Sequence, residues 1–96
     1  MEEEVVMNIF KAIRDEYIGQ FVYVKNYKGD MVRVKITRVD IFCSKRHANI
    51  NVHTEYVDSY CCFNLYLGEN NANYLTSYLP PAFLTPIDYE RYYENH

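Results

Sequence analysis

A chain of 96 residues with 49% apolar and 24% charged side chains has the make-up of one globular domain, which excludes disordered and fibrous classes. It contains no run of about 18 apolar residues, so no membrane-spanning helix is expected. The net charge is a mild −3, and eleven tyrosines and nine asparagines stand against only three glycines, a bias that an AT-rich genome also produces.

The first element expected is a helix over about residues 3–17. Val6, Ile9, Phe10, Ile13 and Tyr17 recur at helical spacing and form one stripe. Glu2, Glu3 and Glu4 favour the positive end of its dipole. Gly19 then releases the chain into a hairpin over about 20–42. Val22 and Val24 alternate with Tyr23 and Lys25, a turn runs from Asn26 to Asp30, and Val32, Val34 and Ile36 alternate with Arg33, Lys35 and Thr37. Gly29 sits where the chain reverses and takes positive φ without steric cost. At Thr37-Arg38-Val39 the apolar phase slips by one residue, which calls for a bulge or bend.

Residues 42–48, FCSKRHA, read as a basic loop. A second hairpin is expected over about 49–67, with Asp58-Ser59 as its turn and 57 facing 60, 55 facing 62 and 53 facing 64. One face then holds Ile50, Val52, Thr54, Tyr56, Cys61, Phe63, Leu65 and Leu67. The other holds Asn51, His53, Glu55, Val57, Tyr60, Cys62, Asn64 and Tyr66. Residues 68–73 read as a loop. A short fifth strand follows at about 74–79, stopped by Pro80-Pro81. Thr85 as N-cap and Pro86 at the first position begin a C-terminal helix over about 86–94. The expected fold is α+β: a helix, a small, strongly bent five-stranded antiparallel sheet or barrel, and a short C-terminal helix, all in a single domain.

These elements come in the order of an SH3-like small barrel of the Sm type. The run Gly19-x-x-Val22-x-Val24, Gly29, then Val32-x-Val34-x-Ile36-x-x-Val39-Asp40 resembles the first Sm motif. The stretch from Phe10 to Glu16 is similar to the helix of bacterial Hfq, so the resemblance covers about residues 9–52. Val34 stands where that family has a glycine, and Tyr66-Leu67-Gly68 has leucine where the family has its uridine-pocket arginine. The resemblance thus implies the fold order and carries over Asn49 as a nucleotide contact.

Charge is unevenly spread. Lys25, Lys28, Arg33, Lys35, Arg38, Lys45 and Arg46 make residues 21–50 basic, while the flanking segments are acidic. The outer hairpin face, Tyr23, Lys25, Arg33 and Lys35, mixes cations with a ring, as single-strand nucleic-acid binders do. The same pattern also suits a solvated strand face guarded against edge pairing, or a face covered by the acidic C-terminal helix. Zinc is invited by Cys43, His47, His53, Cys61 and Cys62, but their spacing matches no common structural pattern, and no cofactor is expected. A Cys43 nucleophile beside Lys45, Arg46 and His47 lacks a base and an oxyanion site, so no enzyme is expected.

Two functions follow as expectations. The first is a protein-binding module that occludes a partner's basic surface, as mobile-element and viral proteins do to host defences, through Tyr60, Tyr66, Tyr89, Glu90, Tyr92 and Tyr93. Its partner would be a protein, for example a nucleic-acid-binding host protein. The second is an Sm-like binder of single-stranded RNA or DNA using Tyr23, Lys25, Arg33, Lys35, Lys45, Arg46 and Asn49. An edge on the 31–42 strand also offers pairing with a second copy, a homodimer. Three cysteines without a framework spacing, and an acidic rather than basic N-terminus, fit the cytoplasm, a host's cytoplasm if the protein is viral.

Overall fold

A computed structural model of the chain describes residues 11–43, 48–58, 60–67 and 79–95, the side chains of Cys43 and Ala48 excepted. Residues 11–17 are helical (α1), and Ile13 and Tyr17, one turn apart, pack against the core of the sheet. The earlier part of the expected helix, residues 3–10, lies outside the described residues. Gly19, at φ 88°, turns the chain out of α1. Its N–H donates to the Ile36 carbonyl at 2.9 Å, and the Ile36 N–H donates to the Gln20 carbonyl at 2.8 Å. The chain thus enters the sheet as soon as the helix ends.

β1 (Phe21–Lys25) and β2 (Met31–Cys43) pair antiparallel with Val22 opposite Val34 and Val24 opposite Val32. Their alternation sorts as expected: Val22, Val24, Val34 and Ile36 are buried, and Phe21, Met31, Arg33 and Lys35 are exposed. The turn closes on Asn26, whose Oδ1 accepts the N–H of Lys28 (3.0 Å) and of Asp30 (2.9 Å), with Gly29 at φ 88°. The expected bulge lies between Ile36 and Arg38. It returns Val39 to the core, where it is buried.

β3 (Ala48–Val57) pairs with β2, and the strands run on through Cys43 and Ala48, so the expected loop shortens to residues 44–47, outside the described residues. β4 (Tyr60–Leu65) pairs with β3 in a register that corrects the expected one. Val57 does face Tyr60, but His53 faces Cys62 and Asn51 faces Asn64, with an irregularity between His53 and Val57. The shift is by two residues, so Ile50, Val52, Thr54, Phe63 and Leu65 keep the core face. Near the turn the irregularity turns side chains over: Val57 is buried, whereas Tyr56 and Cys61, expected inside, are exposed, and Leu67, also expected inside, is exposed beyond the end of β4.

The described fifth strand lies after Pro80. Residues 74–78 of the expected 74–79 lie outside the described residues, and Leu79 is in a bend. β5 is Pro81–Ala82, and it runs parallel to β4, so the sheet is mixed rather than antiparallel throughout. Proline is expected to stop a strand because it has no N–H to give. Here the ladder does not call on the N–H that Pro81 lacks: its bonds fall on the neighbouring residues, with Asn64 N–H donating to Pro80 O at 2.9 Å and Tyr66 N–H to Ala82 O at 2.8 Å. Phe83 then exchanges both backbone bonds with Tyr23, at 2.8 and 3.0 Å, which nearly closes the order β1-β2-β3-β4-β5 into a barrel. The C-terminal helix α2 (Pro86–Asn95) starts as expected, with Asp88 N–H donating to Thr85 Oγ1 at 3.2 Å.

Candidate binding surfaces

Two turns are tied together at one end of the sheet. The Tyr27 N–H, in the β1–β2 turn, donates to Asp58 Oδ2 at 3.0 Å, and Asp58, in the β3–β4 turn, holds a positive φ of 54°. An aspartate tolerates that conformation better than most residues. Beside the joined turns lies an open cleft of about 490 Å³, lined by Tyr27, Tyr60 and Tyr93 with Lys25, Asn26, Leu79 and Pro80. Tyr27 is 70% exposed and Tyr60 50% exposed, so two of the three rings are open to solvent, with Lys28 Nζ 5.8 Å from the centre of the Tyr27 ring.

The third ring belongs to an internal cluster. Phe83 is fully buried and is surrounded by Tyr66, Tyr89, Tyr92 and Tyr93, with ring centroids 5.2 to 5.8 Å from its own. Most of these contacts are tilted or edge-on, the arrangements that aromatic quadrupoles favour. Burial pushes the Tyr93 hydroxyl up to about 12, and Tyr89 moves in the same direction for the same cause. Of the six residues expected at a protein interface, Tyr66, Tyr89, Tyr92 and Tyr93 therefore hold α2 to the barrel. Tyr60 and Glu90 lie exposed.

The basic hairpin face divides. Lys25 is half-buried with its Nζ 3.6 Å above the Tyr93 ring, so α2 takes this cation, as one of the three sequence readings expected. Tyr23 is half-buried beside the Phe83 bridge. Arg33 and Lys35 stay exposed, and the Arg33 guanidinium stacks 3.8 Å over the ring of Phe21, which faces Lys35 across the pair. Lys45 and Arg46 lie outside the described residues. Asn49 pairs with Phe42 across the ladder, and its buried Oδ1 has no hydrogen-bond partner among the described residues.

On the outside of β2, β3 and β4 the register brings together a group that spacing did not reveal. Arg38 and His53 both reach Asp40 Oδ2 at 2.8 Å, and Cys62 Sγ lies 3.8 Å from the same His53 Nε2. Arg38, and then His53, hold the Asp40 carboxyl below the usual carboxylate range, while burial pushes the Cys62 thiol up. A nucleophilic relay needs the carboxylate on one imidazole nitrogen and the thiol on the other. Here both contacts fall on Nε2, so the arrangement is not that of a relay; it is a polar cluster built around the Arg38–Asp40 ion pair. Of the residues that invited a zinc reading, the structure joins His53 and Cys62 alone; Cys61 is exposed, and His47 and the Cys43 side chain lie outside the described residues. Among the described residues no three His, Cys, Asp or Glu side chains are placed to hold a metal ion.

Sequence reasoning missed Tyr27, although an aromatic residue inside a polar turn is a legible sign of an exposed ring. It also missed the Asp40–His53–Cys62 contact, for which only the strand register carries a signal.

The fold and surfaces define a small α+β domain built on a nearly closed five-stranded sheet. No protein-family model, curated protein or solved structure matches the chain. Among the described residues no helix is long and apolar enough to cross a membrane.

Proposed function

We propose that the protein is a non-catalytic protein-binding module that covers a basic patch on its partner with the tyrosine-lined cleft and the acidic outer side of α2. The observation that carries this reading is the pair of exposed rings, Tyr27 and Tyr60, held on two turns joined through Asp58. Tyrosine supplies large contact area at low entropy cost, and its π-face attracts Lys and Arg. Glu90 and Glu94 are exposed on α2 and add charge of the right sign. The action is occlusion, the mode by which a mobile-element product blocks a host nucleic-acid-binding protein.

A second reading is favoured by one observation, the exposed Arg33–Phe21 stack beside Lys35, which offers a base-stacking ring and two cations. Fluorescence anisotropy with labelled Arg/Lys-rich peptides and with single-stranded oligonucleotides separates the two. The module reading expects peptide binding that Tyr27→Ala with Tyr60→Ala weakens at least about tenfold, the scale of a lost aromatic anchor, while Arg33→Glu with Lys35→Glu changes little. Oligonucleotide binding that falls steeply with salt and is lost in Arg33→Glu/Lys35→Glu would move the assignment to the hairpin face. Tyr92 and Tyr93 are left intact in this test, because their truncation would disturb packing around Phe83.

A further inference from the structure

The cleft beside the joined turns is rich in hydrogen-bond donors. Lys25 and Asn26 line it together with the three tyrosines, and among the described residues lining it none carries a carboxylate. Asn26 Oδ1 already accepts the N–H groups of Lys28 and Asp30, at 3.0 and 2.9 Å, so what this amide has left for a ligand is its Nδ2 hydrogens. The ammonium of Lys25 only donates, and each tyrosine hydroxyl can donate. Two of the rings also have a cation of the chain itself nearby. Lys25 Nζ lies 3.6 Å from the centre of Tyr93, and Lys28 Nζ 5.8 Å from that of Tyr27. A second cation arriving at either ring meets like charge.

The cleft therefore suits an uncharged segment with free carbonyls and flat apolar sides. A polyproline II segment has both. It makes no internal hydrogen bonds, so its carbonyls are open to donors, and its prolines bring no N–H to face those donors. Proline rings lie against aromatic side chains, and the segment is already extended before it binds, so little ordering is lost. Basic residues flanking it fall outside the cleft, along α2. There Glu90 is exposed one turn before Tyr93, and Glu94 is exposed just after it.

We infer that the cleft binds a proline-rich, polyproline II segment of the partner, with Asn26 Nδ2 and Lys25 Nζ donating to its carbonyls and flanking arginines set against Glu90 and Glu94. The inference rests on the protein-binding reading above and names the segment that this reading leaves open.

Fluorescence anisotropy with two labelled peptides tests it. One carries two arginines followed by six prolines, and the other two arginines followed by six residues of Gly-Ser repeat, so charge and length are equal. The proline peptide is expected to bind at least about tenfold more tightly. Asn26→Asp then reports what the cleft holds. Its carboxylate still accepts the N–H groups of Lys28 and Asp30, so the turn keeps its closure, while the Nδ2 donor is replaced by an acceptor. Affinity for the proline peptide should fall at least about fivefold, the scale of a lost hydrogen bond. If the cleft instead seats a basic side chain, the added carboxylate tightens binding, and an unchanged or tighter Asn26→Asp overturns the inference. Equal affinity for the two peptides also overturns it and leaves the protein-binding reading standing. Absence of binding by both peptides overturns the inference and that reading together.

Discussion

At the scale of single residues, the chemistry is decided by what each side chain faces. Tyr93 illustrates this. It sits between Phe83, Tyr89 and Tyr92 with the Lys25 ammonium over its ring, and burial raises its hydroxyl from an ordinary value near 10 to about 12. A group whose folded value is raised stabilises the fold fully below its unfolded value, and that contribution is lost as pH rises through the folded value. The domain should therefore lose stability between about pH 10 and about pH 12, as deprotonation comes to favour the unfolded chain. Tyr93→Phe removes this group's share, so its unfolding free energy from denaturant titrations should fall less steeply across the same window. An unchanged slope would show that Tyr93 ionises as freely in the fold as outside it. Asp40 acts in the opposite sense. With its carboxyl held below the usual range by Arg38 and His53, it helps the folded chain above the ordinary carboxylate range and loses that effect as pH falls.

At the scale of elements, local chemistry sets the ends and tertiary contact sets the partners. α2 is ten residues long, too short to persist alone in water, and it relies on its cap and on the Phe83 cluster. The Thr85 hydroxyl accepts the Asp88 N–H, which otherwise has no partner in the first turn. Thr85→Ala should cost about 1 kcal/mol, read from denaturant midpoints, and Thr85→Ser should recover most of it. Hairpin register shows where pattern reading stops. A strand pattern of period two fixes which face is apolar, but a shift by two residues leaves that sorting unchanged. The sequence thus places Ile50, Val52, Phe63 and Leu65 in the core correctly while pairing His53 with Asn64 in place of Cys62. The Asp40–His53–Cys62 contact depends on that register and is illegible for the same reason. The slip at Thr37 to Val39 is legible, because a bulge changes the phase of the pattern by one rather than two.

At the scale of the whole molecule, Phe83 joins the parts. Its backbone closes β5 onto Tyr23, and its ring is the centre against which Tyr66, Tyr89, Tyr92 and Tyr93 pack. Phe83→Ala should cost ~3–5 kcal/mol, a large part of the ~5–15 kcal/mol typical of a domain. Hydrogen exchange should locate the loss: β1, β5 and α2 are expected to open more readily, while the β2–β3 ladder holds. Equal loosening of all strands would mean that the cluster does not anchor α2 separately. The sequence by itself determined the α+β class, the two hairpins, the bulge and the helix cap. These follow from alternation, phase and local hydrogen bonding, which neighbours in the chain dictate. Only the tertiary structure decided that Pro81 joins a parallel strand and that four tyrosines turn inward to Phe83. A proline's use depends on which backbone groups its neighbour needs, and a tyrosine's direction depends on whether an apolar ring awaits it. Both are properties of segments far apart in the chain.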